Sequence, residues 1–171
     1  MTATLVLGGA RSGKSAYALR AAEEAARNGQ GRLIFVATAE RGDAEMGQRI
    51  AHHQAERGPA WQTIEEPLDL PAVLATLRPE DTAVVDCLTL WVSNLLAQEG
   101  PLQTHIDGLV DAVSQNRANL WLISNEVGWG IVPDNALARR FRDECGRLHQ
   151  VLAAKVEHVV LITAGLPLRL K

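Results

Sequence analysis

Eight consecutive residues near the start of the chain, Gly8-Gly9-Ala10-Arg11-Ser12-Gly13-Lys14-Ser15, fit the spacing G-x-x-x-x-G-K-[ST]. Glycines so placed let successive backbone N–H groups turn inward around an anion, and a helix starting at once aims the positive end of its dipole at the same point. In such a loop the lysine bridges the outer phosphates of a nucleoside triphosphate and the next hydroxyl ligates Mg²⁺, roles that fall to Lys14 and Ser15. All but three of the 17 basic residues are arginine, the lysines being Lys14, Lys155 and Lys171. A composition that otherwise favours the planar guanidinium thus keeps a compact point charge inside the loop.

Two further groups could complete this chemistry. A phosphate loop normally works with an acidic residue at the end of a buried strand, which holds the metal's water shell. Asp86 closes the apolar run Ala83-Val84-Val85, and a lone carboxylate there is costly unless it is paired or metal-linked. An aspartate at a strand end can instead cap the following helix. The second group is the pair His52-His53. On a helix over Asp43–Glu56, His53 shares a stripe with Met46 and Ile50 while His52 turns about 100° away. On that stripe His53 is either a packed, hydrogen-bonded histidine or a neutral imidazole able to attack a nucleotide α-phosphate. Periodicity does not choose between them.

The elements that must position these groups follow from apolar runs and punctuation. Thr4–Leu7, Leu33–Ala37, Ala83–Leu88, Leu120–Ser124 and Val159–Thr163 read as strands, with Leu166–Leu170 as a sixth. Helical patterns fall over Ser15–Asn28, Asp43–Glu56, Leu68–Leu77, Leu90–Gln98, His105–Arg117 and Asn135–Lys155. In the last of these Asp134 is the expected cap, and Leu137, Phe141, Leu148 and Leu152 the expected inward stripe. The stretch holding Trp61 and Ile64, bracketed by Gly58-Pro59 and Glu66-Pro67, is assigned no element, and Asn125–Pro133 reads as a loop. Near-continuous apolar strands alternating with helices predict an α/β fold: three layers, a mostly parallel sheet of five or six strands and P-loop NTPase-like topology.

The chain has 171 residues, 47% hydrophobic and 22% charged, which predicts one domain over residues 1–171. Its net charge of −3 provides no basic footprint for a phosphate backbone, so nucleic acid is not an expected partner. No apolar run is long enough to span a bilayer, and no basic region precedes an apolar one at the N-terminus. Cys87 and Cys145 fit neither a disulfide framework nor a zinc site, and read as reduced thiols of a cytoplasmic protein.

The order of these motifs carries a resemblance. The phosphate loop is followed by Ala37-Thr38, Glu45-Met46 with Arg49-Ile50 and His52-His53, then Trp61, Thr63 and Glu65. Next come Asn125-Glu126-Val127-Gly128-Trp129-Gly130-Ile131-Val132-Pro133 with Asn135, Leu137-Ala138-Arg139 and Phe141-Arg142-Asp143. Over essentially its whole length the chain resembles the adenosylcobinamide kinase / adenosylcobinamide-phosphate guanylyltransferase family. That resemblance implies two consecutive reactions of cobalamin nucleotide-loop assembly. A nucleoside triphosphate, ATP or GTP, phosphorylates the aminopropanol hydroxyl of adenosylcobinamide; GTP then transfers GMP to that phosphate through a guanylylated histidine, with loss of pyrophosphate.

By position the implied nucleophile is His53. The implied nucleotide contacts are the loop Gly8 to Ser15, then Ala37, Thr38 and Ala39, then Gln54, Ala55, Glu56 and Arg57, and finally Glu65 and Asp86. The chain departs from the family pattern in two of these places. Some members carry Glu at position 86, where Asp86 keeps the carboxylate, and Lys-Asp-Gly-Arg at 54–57, where contacts of Gln54 and Ala55 would have to run through backbone or differ. Trp129 replaces a methionine and keeps an apolar wall in a glycine-rich loop that could approach a bulky corrinoid. The resemblance also suggests a homo-oligomer, a trimer among the options. Two other readings compete with it: a small-molecule P-loop kinase without nucleotidyl transfer, and a nucleotide-dependent switch that binds a protein partner.

Overall fold

A computed structural model describes residues 2–27, 29–39, 58–98 and 100–171. In chain order its elements are β1 (Ala3–Gly8), α1 (Lys14–Ala26), β2 (Leu33–Ala37), β3 (Trp61–Glu65), α2 (Leu70–Ala75), β4 (Thr82–Asp86), α3 (Leu88–Ala97), α4 (Leu102–Gln115), β5 (Asn119–Asn125), α5 (Ala136–Lys155), β6 (His158–Thr163) and β7 (Leu166–Arg169). The helix expected over Asp43–Glu56 lies outside the described residues.

The strands form one seven-stranded sheet in the order β3-β2-β4-β5-β1-β6-β7. Every pairing is parallel except that of β7 with β6. The expected α/β sheet is therefore present, with one strand more than the sequence suggested. The addition is β3, an edge strand on which only Trp61 is buried, so it lacks the continuous apolar run that marks the central strands.

Alternation along the strands divides the interior into two layers. Leu5, Leu7, Ile34, Val36, Val85, Leu120 and Leu122 face the helices α2, α3, α4 and α5. Val6, Phe35, Val84, Trp121, Ile123 and Ile162 face Ala18 and Ala22 of α1. Each fully buried leucine in these layers contributes about 1.5–3 kcal/mol. On α1 the buried residues are Lys14, Ala18 and Ala22, a stripe of four-residue spacing whose two small side chains let the helix approach the sheet closely. That approach holds the first turn of α1 against the end of β1.

Two details of α5 differ from expectation. Its cap is Asn135, whose side chain accepts hydrogen bonds from the amides of Leu137 and Ala138, while the carbonyl of Asp134 is bound by Arg139. Its buried residues are Cys145, Leu148, His149 and Leu152. Leu137 is 58% exposed, and no residue of α5 before Cys145 is fully buried.

The fully buried carboxylate of β4's approach is Asp81, not Asp86. Asp81 accepts hydrogen bonds from the Arg32 guanidinium and from the amides of Arg32 and Arg78. Burial alone would push its carboxyl up, but those donors outweigh it and hold the group at about 2. The pair ties the start of β2 to the start of β4.

Candidate active site

The C-terminal ends of the parallel strands define one edge, the place where open α/β sheets bind ligands. Strand register brings the expected residues together there. Ala37 pairs with Glu65 on one side and Asp86 on the other, and Gly8 pairs with Asn125 of β5. The amide of Thr38 reaches the carbonyl of Asp86 at 3.2 Å.

The loop between β1 and α1 has the backbone that anion binding requires. Arg11 (φ 55°) and Gly13 (φ 93°) both lie in the left-handed region, which turns neighbouring amides toward a common centre. At Gly8 the demand is spatial: a Cβ would lie 2.5 Å from Ser12 Oγ and 2.7 Å from the carbonyl oxygen of Ile162 on β6. The loop is also tied to the turn after β6, where the Gly165 amide donates to the Ser12 carbonyl at 2.8 Å. Lys14 is buried, and its Nζ donates to the Gly9 carbonyl at 3.1 Å. Its ammonium thus lies within the loop that would surround a phosphate.

Ser15, at the start of α1, donates its hydroxyl proton to Asp86 Oδ2 at 2.7 Å. The two candidate metal ligands therefore meet across 71 residues of sequence. Asp86 does not cap the next helix: the residue at the cap position of α3 is the extended Cys87, and no side chain caps the helix. Thr38 is fully buried, and its hydroxyl both donates to the Cys87 carbonyl and accepts from the Cys87 amide, each at 2.8 Å. Asn94 of α3 donates to the carbonyls of Thr38 and Pro67. These bonds fix the backbone after β2 and β4, so Thr38 acts as a strut of the edge. Ala39 is half-buried just beyond it and Glu65 is exposed at the end of β3.

His53, Gln54, Ala55, Glu56 and Arg57 lie outside the described residues, and so does His52. Among the described residues the arrangement consists of the phosphate loop, Lys14, the Ser15–Asp86 contact and the Ala37–Thr38 edge.

Beside the loop lies a cleft of about 310 Å³, lined by Ala10, Thr89, Leu90, Ser93, Asn125, Glu126, Val127 and Phe141. Asn125 donates through Nδ2 to Thr89 Oγ1 at 2.8 Å, which links the end of β5 to α3. Glu126 accepts the Gly128 amide at 3.0 Å. His149 of α5 stands behind it, its Nε2 2.7 Å from Ser124 Oγ. Burial holds the His149 imidazole below its usual range, though Glu126 pulls the other way. Nothing in the sequence marks Thr89 or His149; Asn125 and Glu126 are marked by the motif Asn125–Pro133 that carries the family resemblance, without a role for either side chain. Cys87 and Cys145 are buried free thiols. Burial pushes Cys87 up and Cys145 to about 12, which leaves both unreactive.

Comparison with known proteins assigns the chain to a family. Residues 4–170 match the sequence pattern of the family described as cobinamide kinase / cobinamide phosphate guanyltransferase. The chain is 46% identical to the bifunctional adenosylcobalamin biosynthesis protein CobP of Pseudomonas aeruginosa, over 98% of this chain and 96% of that one. It is 38% identical to the CobU protein of Salmonella typhimurium and 36% identical to that of Escherichia coli, each over 98% of both chains. Among solved structures it is similar to a KaiC-like protein, PH0186, from Pyrococcus horikoshii, with a TM-score of 0.51 at 12% identity, over 94% of this chain and 70% of that one. That likeness is one of fold.

Proposed function

Since the chain belongs to the cobinamide kinase / cobinamide phosphate guanyltransferase family, we propose that it catalyses both reactions on one phosphate loop. It phosphorylates adenosylcobinamide with ATP or GTP and then transfers GMP from GTP to adenosylcobinamide phosphate. The observation that carries this reading is the 2.7 Å contact of Ser15 with Asp86 beneath the left-handed turn of the loop. An oxygen donor pair and the Lys14 ammonium at one loop support the binding of a triphosphate tail there.

The donor pair suits Mg²⁺, a hard cation that takes oxygen ligands and is commonly held by one or two protein groups plus phosphates. Ser15 and Asp86 would hold it, and when bound it neutralises charge on the transferring phosphate. Lys14 leaves the Gly9 carbonyl for the outer phosphates, and the amides from Gly9 to Ser15 surround them. Ala37, Thr38, Ala39 and Glu65 flank the nucleotide along the edge, and Gln54, Ala55, Glu56 and Arg57 are the further contacts that the family resemblance implies. For the second reaction a nitrogen of neutral His53 attacks the α-phosphorus of GTP, and the bond to the bridging oxygen breaks with loss of pyrophosphate. An oxygen of cobinamide phosphate then displaces the imidazole and takes the GMP. The whole chain, residues 1–171, acts as one domain in this scheme.

The buried free thiols support work in the reducing cytoplasm. Exposed Trp129, Ile131, Leu166 and Leu168 support a homo-oligomer, such as a trimer. Among the described residues no helix is long and apolar enough to cross a membrane.

The test is incubation with GTP labelled at the α-phosphate, with and without cobinamide phosphate. The protein should take up label as an acid-labile adduct and pass it to cobinamide phosphate. His53→Ala should lose the adduct and GMP transfer while still phosphorylating cobinamide. A kinase without nucleotidyl transfer takes up no α-label, and an adduct that survives His53→Ala removes that residue from the scheme.

A further inference from the structure

We propose that Glu126 accepts the proton of the substrate alcohol in the phosphorylation step, and that the cleft between α3 and the end of β5 is where that alcohol sits. The inference rests on the kinase reading given above and assigns it a residue.

Three observations converge. The first is placement: Asn125 is in register with Gly8, and the Glu126 amide donates to the Gly8 carbonyl at 3.0 Å. Glu126 therefore stands at the rim of the phosphate loop. The second is the cleft, which opens against Ala10 of that loop and sets Thr89, Ser93 and Glu126 among the apolar walls of Leu90 and Phe141. A concave apolar site with a few convergent polar groups is what a bulky alcohol needs in order to bind and be oriented.

The third is the state of the carboxylate. Its Oε1 is fixed by the Gly128 amide. Its Oε2 lies 3.9 Å from His149 Nδ1, too far for a hydrogen bond, and has no hydrogen-bond partner among the described residues. Burial keeps His149 below its usual range, so near neutral pH no imidazolium neutralises the carboxylate, while the Ser124 hydroxyl holds the ring in place at 2.7 Å. Glu126 is thus oriented through one oxygen and available through the other. Asp86, in contrast, is engaged by the Ser15 hydroxyl.

The chemistry uses one proton. As the alcohol oxygen bonds to the γ-phosphorus, its proton passes to Glu126 Oε2. The bond from that phosphorus to the β,γ-bridging oxygen breaks, the nucleoside diphosphate leaves with the electron pair, and the carboxylic acid returns its proton to solvent. The second reaction makes no such demand. Its acceptor is a phosphate monoester, already ionised near neutral pH because its second pKa is about 6. A proton acceptor at Glu126 therefore serves phosphorylation and is idle in GMP transfer.

The full-length protein and its Glu126→Gln variant are compared in two assays: cobinamide phosphorylation, and GMP transfer from GTP to supplied cobinamide phosphate. Phosphorylation kcat should fall on the order of 10²–10⁴-fold, with the KM for nucleotide changing less than about threefold, as for loss of an interaction confined to the transition state. GMP transfer should persist, which also establishes that the variant folds, and Glu126→Asp should recover part of the lost kcat. Equal losses in both assays would mean that Glu126 only shapes the loop, and the inference falls. A competent wild-type kinase beside an unimpaired Glu126→Gln overturns the inference alone. A wild-type protein that phosphorylates no cobinamide overturns the proposed function and this assignment with it.

Discussion

Replacing Gly8 by alanine tests whether the loop is held by the sheet or merely drawn around its ligand. The added Cβ would meet Ser12 Oγ at 2.5 Å and the Ile162 carbonyl oxygen at 2.7 Å. The first clash is relieved by rotating a serine. The second is with backbone that is itself paired to β1 at that residue, so ordinary contact near 3.4 Å requires the two strands to part. Overpacking of this kind costs about 1–3 kcal/mol. For a domain of this size each kcal/mol moves the melting temperature by about 2–4 °C, so a fall of about 2–12 °C is expected. The same displacement shifts the amides that surround the phosphates, and misplacement on the ångström scale can cost on the order of 10²-fold in rate. Thermal melts and both activities are measured beside Gly9→Ala, whose Cβ meets nothing within 4 Å and which should stay within about 0.5 kcal/mol of wild type. If Gly8→Ala melts with Gly9→Ala and keeps wild-type turnover, the loop is not braced against β6 as described.

Lys14→Ala should lower phosphorylation and guanylylation together, each on the order of 10²–10³-fold, as for removal of a preorganised donor at developing charge; normal uptake of α-label by this variant would refute a shared triphosphate site. Asp81 should govern acid stability. Its folded carboxyl is held at about 2 against an ordinary 3.8, so the stabilisation is complete above about pH 4, fades as pH falls through that interval and amounts to about 2 kcal/mol. Urea midpoints measured from pH 5 to pH 2 should show this loss in wild type and a flatter profile in Asp81→Asn, and parallel profiles would assign the effect to other carboxylates.

The phosphate loop was legible because its chemistry is local: glycines, lysine and serine act from adjacent positions, and the flanking strand and helix follow from the same twenty residues. Asp86 was legible for a different reason. Its partner Ser15 is 71 residues away, but a carboxylate closing an apolar strand can be read without knowing that partner. β3 escaped because an edge strand buries little; Trp61 alone is inside, while Gln62 and Glu65 are exposed, and the flanking Gly-Pro and Glu-Pro steps resemble loop punctuation. Capping of α5 moved by one residue because Asp134 and Asn135 have the same capacity, and only the backbone decides which side chain meets the amides of Leu137 and Ala138.

The cleft beside the loop shows where such reading stops. Glu126 is held by the amide of a glycine two residues on and by the carbonyl of Gly8 across a strand pair, and it faces His149 of α5 without a hydrogen bond. The contact with Gly8 depends on β5 lying beside β1, an order that no periodicity encodes. His149 would count, in sequence, as one more residue on a helical stripe. Its meaning comes from what sits in front of it: a buried imidazole kept neutral leaves the carboxylate unpaired. The same logic separates the two reactions in the proposed scheme. Both need the triphosphate clamp, which explains a single phosphate loop, but an alcohol has a proton to lose and a phosphate monoester does not. A group that serves one reaction and stands idle in the other can therefore lie beside the clamp without hindering either.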